Sequence, residues 1–198
     1  MTDFADRTSL FDAEQDAMVH AVPRRIAEFA GGRQAARAAL EGLGIDPRAI
    51  PMGPDRMPVW PQGVAASITH ADRLCLAVAA WKSAIPILGV DLETAIPIPP
   101  QLVPEIASDA DLDAYAPLPR GEAALRVFSA KEAAYKALYP EIREVAGFDA
   151  ITLRRSGTAL LAEPARAGPW HHHPAARALV IRQWWRGGHL LSLALPAA

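Results

Sequence analysis

The sequence predicts an α+β protein built as two halves, each with a long helix and an antiparallel sheet. An Ala-rich stretch over 23–40 favours a helix, and apolar, strand-like segments follow it over 65–93. A second helical stretch over 122–138 is again followed by strand-like segments. Between these blocks, Thr94 to Pro104 contains four prolines and cannot form regular structure. We therefore place the halves at residues 1–94 and 95–198.

In the first half, Pro23 suits the first turn of a helix, and Gly42 or Gly44 supplies its end. Gly31-Gly32 predicts a bend or break in the middle of this helix. Strands are expected at 65–70, 74–81 and 87–93. Because short links join these three strands, we expect an antiparallel meander with the helix covering one face.

In the second half, Ser129 and Glu132 have the spacing of a capping box, with Phe128 as the staple residue before it. This pattern predicts either a helix start or internal N-cap at Ser129, or a kink there. Further strands are expected at 149–154, 159–162, 178–185 and 189–195. Gly187-Gly188 predicts a two-residue turn that makes the last two strands a hairpin.

Composition excludes several classes of protein. A net charge of −2 gives no general attraction to nucleic acid or to an anionic membrane. The acidic N-terminal residues do not resemble a signal peptide, and no apolar run approaches the ~18 residues that span a bilayer. Cys75 is the only cysteine, so an intramolecular disulfide is excluded and a buried, inert thiol is expected. We expect a cytoplasmic protein with neither nucleic acid nor membrane as partner.

Carboxylates mark a candidate site. In the predicted strand at 87–93, alternation places Asp91 and Glu93 on one face, about 7 Å apart at the backbone. Their oxygens are therefore close enough to converge on one hard cation, and Glu132 is a candidate third ligand. Glu132 and Lys136 also have the spacing of an ordinary i,i+4 surface pair, which leaves a purely structural role open. Only three of the 20 basic residues are lysines, and two of them, Lys131 and Lys136, lie in this helix.

Arginines define a second candidate region on the first helix. Arg33 and Arg37 are one turn apart, and Arg24 and Arg25 precede them. The pattern fits a solvated basic face. It also fits a phosphate-binding surface, because guanidinium forks match phosphate oxygens.

Two segments together resemble the paired signature of 4'-phosphopantetheinyl transferases, in the branch with the surfactin-synthetase activator and enterobactin-synthetase component D. They read GVDLE at 89–93 and FSAKEAAYKA at 128–137. The resemblance implies two similar halves related by a pseudo-twofold, with the active site in the cleft between them. It implies transfer of the 4'-phosphopantetheine arm from coenzyme A to a serine of an acyl, peptidyl or aryl carrier protein, with release of 3',5'-ADP.

The resemblance also implies roles for individual residues. Asp91, Glu93 and Glu132 would bind Mg²⁺, or Mn²⁺ in its place. Glu132, Lys136 and Asp91 would be catalytic, with Glu132 as the candidate base for the attacking serine. Ser67-Ile68-Thr69-His70 resembles the family's Ser-x-x-His segment, although Ala66 and Ala71 replace its usual Gly and Ser neighbours. The implied coenzyme A contacts are Arg24, Arg25, Arg33, Thr69, His70 and Lys136.

The implied carriers belong to siderophore or other nonribosomal peptide synthesis or to polyketide synthesis, with fatty-acid synthase carriers as an alternative, and a monomer is expected. Two alternatives stay open. One is a catalytically silent module that binds carrier proteins or coenzyme A. The other is an unrelated Mg²⁺-dependent nucleotide pyrophosphatase that shares the carboxylates by coincidence.

Overall fold

The computed structural model describes residues 1–197 and confirms the α+β class. The chain divides into two compact units, Met1–Pro86 and Ile87–Ala198. No helix in the described residues is long and apolar enough to cross a lipid bilayer.

The first unit contains one long helix against a three-stranded antiparallel sheet with the order β1-β3-β2. Its elements are β1 (Thr2–Asp3), α1 (Asp12–Gln15), α2 (Pro23–Glu41), β2 (Val64–Ala71) and β3 (Leu74–Trp81), with 3₁₀ turns at Arg7–Ser9 and Asp16–Met18. Helix α2 packs on β2 and β3. Cys75 on β3 is fully buried, and burial raises the pKa of its thiol to about 11, as expected for an inert cysteine.

The predicted break in α2 is wrong, because the helix runs unbroken through Gly31 and Gly32. A Cβ atom on Gly31 would lie 2.8 Å from Asp3 O and 2.9 Å from Cys75 Sγ. The glycine therefore lets the helix backbone lie directly on the sheet, and the contact offsets its low helix propensity.

The second unit contains a five-stranded antiparallel sheet with the order β4-β8-β7-β6-β5 and one long helix packed on β4 and β8. Its elements are β4 (Gly89–Thr94), α3 (Val103–Ile106), α4 (Asp109–Asp113), α5 (Arg120–Ile142), β5 (Ile151–Ser156), β6 (Ala159–Pro164), β7 (Leu179–Arg186) and β8 (His189–Pro196), with a 3₁₀ turn at Phe148–Ala150. Gly187 and Gly188 have φ of 58° and 77°, so the predicted β7–β8 hairpin turn is confirmed.

The predicted three-stranded meander is wrong, because β4 does not pair with β3. Instead β4 pairs with β8, and Asp91 lies opposite Ser192. The strand that carries Asp91 and Glu93 therefore belongs to the second unit, and the chain divides after Pro86 and not after Thr94. Sequence proximity favoured β3 as the partner, but the free edge of β8 provides the hydrogen bonds.

The predicted start, cap or kink at Ser129 is also wrong. Helix α5 begins at Arg120 and passes through Ser129 without interruption. The Ser129 side chain is fully buried, and its Oγ lies 2.7 Å from Ser192 Oγ on β8. A serine is tolerated inside a helix when its hydroxyl has such a partner. Glu132 is therefore not used as a cap, which frees its carboxylate for another role.

Candidate active site

Strand β4 presents Gly89, Asp91 and Glu93 on one face, as alternation along a strand requires. This face is turned toward α5, because Gly89 packs on the helix backbone and Asp91 contacts a helix side chain. The predicted sharing of one face by Asp91 and Glu93 is thus confirmed.

Gly89 sets the distance between β4 and α5. A Cβ atom at this position would lie 2.6 Å from Ala137 N and would also collide with Ala133 O. No side chain fits there, so the strand backbone rests directly on the helix between two alanines. This close approach brings Lys136 to Asp91, with Nζ to Oδ1 at 2.6 Å. The Asp91 side chain is 3% exposed and that of Lys136 is 28% exposed.

We expect Gly89→Ala to lower the free energy of unfolding by about 1 to 3 kcal/mol, because the added methyl group overpacks the strand–helix contact. Urea denaturation measures this loss. Gly42→Ala is the matched control, since its Cβ would meet Ala39 O at 3.3 Å, which needs only a small adjustment. Equal stabilities of the two variants would contradict the assigned role of Gly89.

Glu93 and Glu132 interact electrostatically with the Asp91–Lys136 pair. Burial, followed by the charge of Asp91, raises the pKa of Glu93 to about 7, while Lys136 partly opposes the shift. Burial also raises the pKa of Glu132, with Lys136 opposing and Asp91 adding to the shift. Glu132 lies one helical turn before Lys136 on α5. The site therefore holds three interacting carboxylates and the Lys136 ammonium.

The donor chemistry of this cluster fits a hard divalent cation, because carboxylate oxygens are the ligands that Mg²⁺ and Mn²⁺ prefer. Its negative charge exceeds the positive charge of Lys136, and a cation would relieve that excess. Within residues 1–197, no three His, Cys, Asp or Glu side chains form a ready-made metal-binding group. The ligand set of Asp91, Glu93 and Glu132 therefore stays a prediction.

The first unit gathers three of the predicted coenzyme A contacts around Glu28. Arg24 Nε lies 3.0 Å, Arg25 Nη1 3.5 Å and His70 Nε2 4.0 Å from the Glu28 carboxylate oxygens. These groups have side-chain exposures of 79%, 50% and 40%. They form a solvent-accessible basic cluster, whereas Thr69 on the neighbouring β2 position is buried.

The predicted solvated face of Arg33 and Arg37 is wrong, because both residues are buried. Arg33 Nε donates to Ile50 O at 2.6 Å, and its guanidinium lies over the Phe29 ring. Burial lowers the pKa of Arg33 to about 10. Arg37 pairs with the fully buried Glu14 at 2.9 Å. Arg33 is thus engaged within the first unit, and Arg24 and Arg25 are better placed to contact a phosphate.

A buried ion pair between Lys131 on α5 and Asp111 on α4 was not predicted from the sequence. Lys131 Nζ donates to Asp111 Oδ2 at 2.8 Å and to two backbone carbonyls, Ile106 O and Phe148 O. The side chains are 4% and 2% exposed. The scarcity of lysine had marked Lys131 as unusual, but nothing in the local sequence identified Asp111 as its partner.

Two family models match the chain. The 4'-phosphopantetheinyl transferase N-terminal domain matches residues 13–80, and the 4'-phosphopantetheinyl transferase superfamily matches residues 87–189, more than half of the chain. The chain belongs to the 4'-phosphopantetheinyl transferase superfamily. The superfamily match begins at Ile87, the first residue of the second unit, and contains both parts of the carboxylate site.

Curated members of the superfamily are similar to this chain over most of its length. The 4'-phosphopantetheinyl transferase Npt of Nocardia iowensis is 33% identical over 69% of this chain and 62% of its own length. The 4'-phosphopantetheinyl transferase Svp of Streptomyces mobaraensis is 36% identical over 66% and 55%, respectively. Enterobactin synthase component D of Escherichia coli K12 is 34% identical over 73% and 69%. The chain thus spans a little over half the length of Npt and Svp.

Proposed function

We propose that this protein transfers the 4'-phosphopantetheine arm of coenzyme A to a serine of a carrier protein and releases 3',5'-ADP. The observation that carries the proposal is the pairing of Asp91 with Lys136, from two distant segments, beside Glu93 and Glu132. Membership of the superfamily supports the same reaction. An unrelated pyrophosphatase is the weaker candidate, because it would leave the match to a transferase superfamily unexplained.

In the proposed reaction, the serine oxygen attacks the β-phosphorus of coenzyme A. A new P–O bond forms, the bond from this phosphorus to the bridging oxygen breaks, and 3',5'-ADP leaves with the electron pair. Glu132 accepts the serine proton, directly or through water. Lys136 contacts the transferred phosphate as a compact positive charge, and Asp91 fixes the position of the Lys136 ammonium.

The carboxylates Asp91, Glu93 and Glu132 would hold Mg²⁺, or Mn²⁺ in its place. When bound, the ion would neutralise charge on the pyrophosphate. Since one carboxylate cannot serve fully as metal ligand and as base, Glu132 would divide its oxygens between the two roles.

Arg24, Arg25 and His70 are the proposed contacts for the phosphates of coenzyme A, because they form an exposed basic cluster. Thr69, Arg33 and Lys136 are the other contacts that the resemblance predicts, although Thr69 and Arg33 are buried. The proposed acceptors are carrier domains of siderophore or other nonribosomal peptide synthesis, and the relatives named as enterobactin synthase component D support this class. The pseudo-twofold relation, the monomeric state and the cytoplasmic location stay predictions.

The deciding experiment incubates the protein with coenzyme A, Mg²⁺ and a panel of small apo carrier domains, read by intact mass. We expect at least one carrier to gain the phosphopantetheine mass. Addition of EDTA should abolish the gain, and excess Mg²⁺ should restore it. Coenzyme A binding without transfer to any carrier would favour a silent binding module, and phosphate release without a carrier would favour a pyrophosphatase.

A further inference from the structure

A groove of about 440 Å³ lies in the second unit, and its lining residues do not include Asp91, Glu93, Glu132 or Lys136. Three arginines, Arg126, Arg155 and Arg182, line it together with Tyr115, Gln183 and Trp184. The remaining lining residues are a threonine and small or branched apolar residues, so none of the lining residues is acidic. The groove therefore concentrates positive charge in a volume that suits a small molecule.

Arg126 carries an unsatisfied donor. Its Nε is buried and has no hydrogen-bond acceptor among residues 1–197. Arg126 Nη2 forms an i,i+4 ion pair with Glu122 Oε1 at 3.6 Å, so this charge is partly balanced, but Nε takes no part in the pair. The guanidinium also lies 5.0 Å from the centroid of the Trp185 ring. A buried N–H without an acceptor is rare in proteins, so Arg126 keeps hydrogen-bonding capacity that the described chain does not use.

The walls of the groove are fixed by hydrogen bonds. Arg155 Nε donates to Ala114 O at 2.9 Å, which orients its guanidinium. Tyr115 Oη donates to Gln183 Oε1 at 2.8 Å, and Gln183 Nε2 donates to Ser192 Oγ at 2.9 Å. Trp184, by contrast, is 45% exposed and provides an aromatic surface at the groove. The site is thus preorganised, which lowers the entropic cost of binding.

We propose that this groove binds a small oxyanion, either a phosphate or a carboxylate group, through Arg126, Arg155 and Arg182. Guanidinium groups bind both kinds of oxyanion in the same forked geometry. A small ligand fits better than the surface of an acidic protein, because Arg126 lines the groove with a side chain that is only 20% exposed, and a group must enter the groove to contact it. The proposal does not depend on the transferase activity, since the groove shares no residue with the carboxylate site or the predicted coenzyme A contacts.

The test titrates the protein with inorganic phosphate and, separately, with citrate, in the absence of coenzyme A. Calorimetry and tryptophan fluorescence measure binding. We expect at least one anion to bind, and we expect Arg126→Gln and Arg182→Gln each to weaken that binding by about tenfold or more. The two arms show whether phosphate or carboxylate is preferred. Arg186→Gln is the matched control, because Arg186 lies on the same strand but outside the groove and should leave binding unchanged.

Circular dichroism establishes that each variant is folded, and Arg182→Gln keeps the test valid if Arg126→Gln unfolds, because Arg182 is exposed. Three results would overturn the proposal. The first is no binding of either anion at millimolar concentration. The second is loss of binding in Lys136→Gln instead of the groove variants, which would place the anion at the carboxylate site. The third is binding of a polyglutamate peptide when neither small anion binds.

Discussion

Replacing Asp91 by asparagine is expected to lower the kcat/KM of carrier modification by about 10³-fold, the effect of removing one preorganised electrostatic group from an active site. Asparagine keeps the size of the side chain but loses its charge. Lys136 Nζ, now 2.6 Å from Asp91 Oδ1, would lose the negative charge that holds it in place. The proposed ion would lose one carboxylate ligand as well. The intact-mass assay with a fixed apo carrier measures the loss.

Asp109→Asn is the matched control, because the Asp109 side chain is 86% exposed and lies outside the site. Activity equal to that control would contradict the role of Asp91. In the double variant Asp91→Asn with Lys136→Gln, the losses should not add, since the two residues act as one pair.

Glu132→Gln should also reduce transfer strongly. Full activity in Glu132→Gln would show that Glu132 is not the base.

Asp111→Ala is expected to lower the free energy of unfolding by about 3 to 5 kcal/mol, because it leaves the Lys131 ammonium buried without its counter-charge. Asp111 Oδ2 also accepts from Ser108 N and Oγ, and Oδ1 accepts from Leu153 N at 2.7 Å. The substitution would leave the buried Leu153 N–H without this acceptor and remove the hydrogen bonds that join α4 to β5. Urea denaturation at neutral pH measures the loss.

Asp113→Ala is the control, since Asp113 lies on the same short helix but is exposed, and we expect a change within about 0.5 kcal/mol. Equal losses in the two variants would contradict the assigned role of the ion pair. Burial raises the pKa of Asp111, but hydrogen bonds from Lys131 and Leu153 outweigh it and hold the pKa below its usual value. Its stabilising contribution is therefore present above about pH 4 and is lost as the pH falls through the lower folded-state value.

The site could be predicted in part because strand alternation and helical spacing are local rules. Alternation placed Asp91 and Glu93 on one face of β4, and the i,i+4 spacing placed Glu132 beside Lys136. These rules could not predict which basic side chain would contact which carboxylate. The contact between Lys136 and Asp91 depends on Gly89, which lets α5 lie on the strand.

For Arg33 and Arg37, the spacing was predicted correctly but the environment was not. Helical spacing correctly placed Arg33 and Arg37 one turn apart, but it did not show that this face is buried. Burial became possible because Glu14 and the carbonyl of Ile50 provide acceptors from other parts of the first unit. A guanidinium with such partners is tolerated inside a protein, and the sequence does not mark the partners.

By itself, the sequence determined the α+β class, the position of most strands, the β7–β8 hairpin and the set of acids on one strand face, because each depends on residues close together in the chain. Only the tertiary structure decided that β4 joins β8, that Ser129 lies inside α5 against Ser192, and that Lys131 pairs with Asp111. These pairings join segments far apart in the chain, and their free energy comes from shared burial and hydrogen bonds that no local pattern encodes.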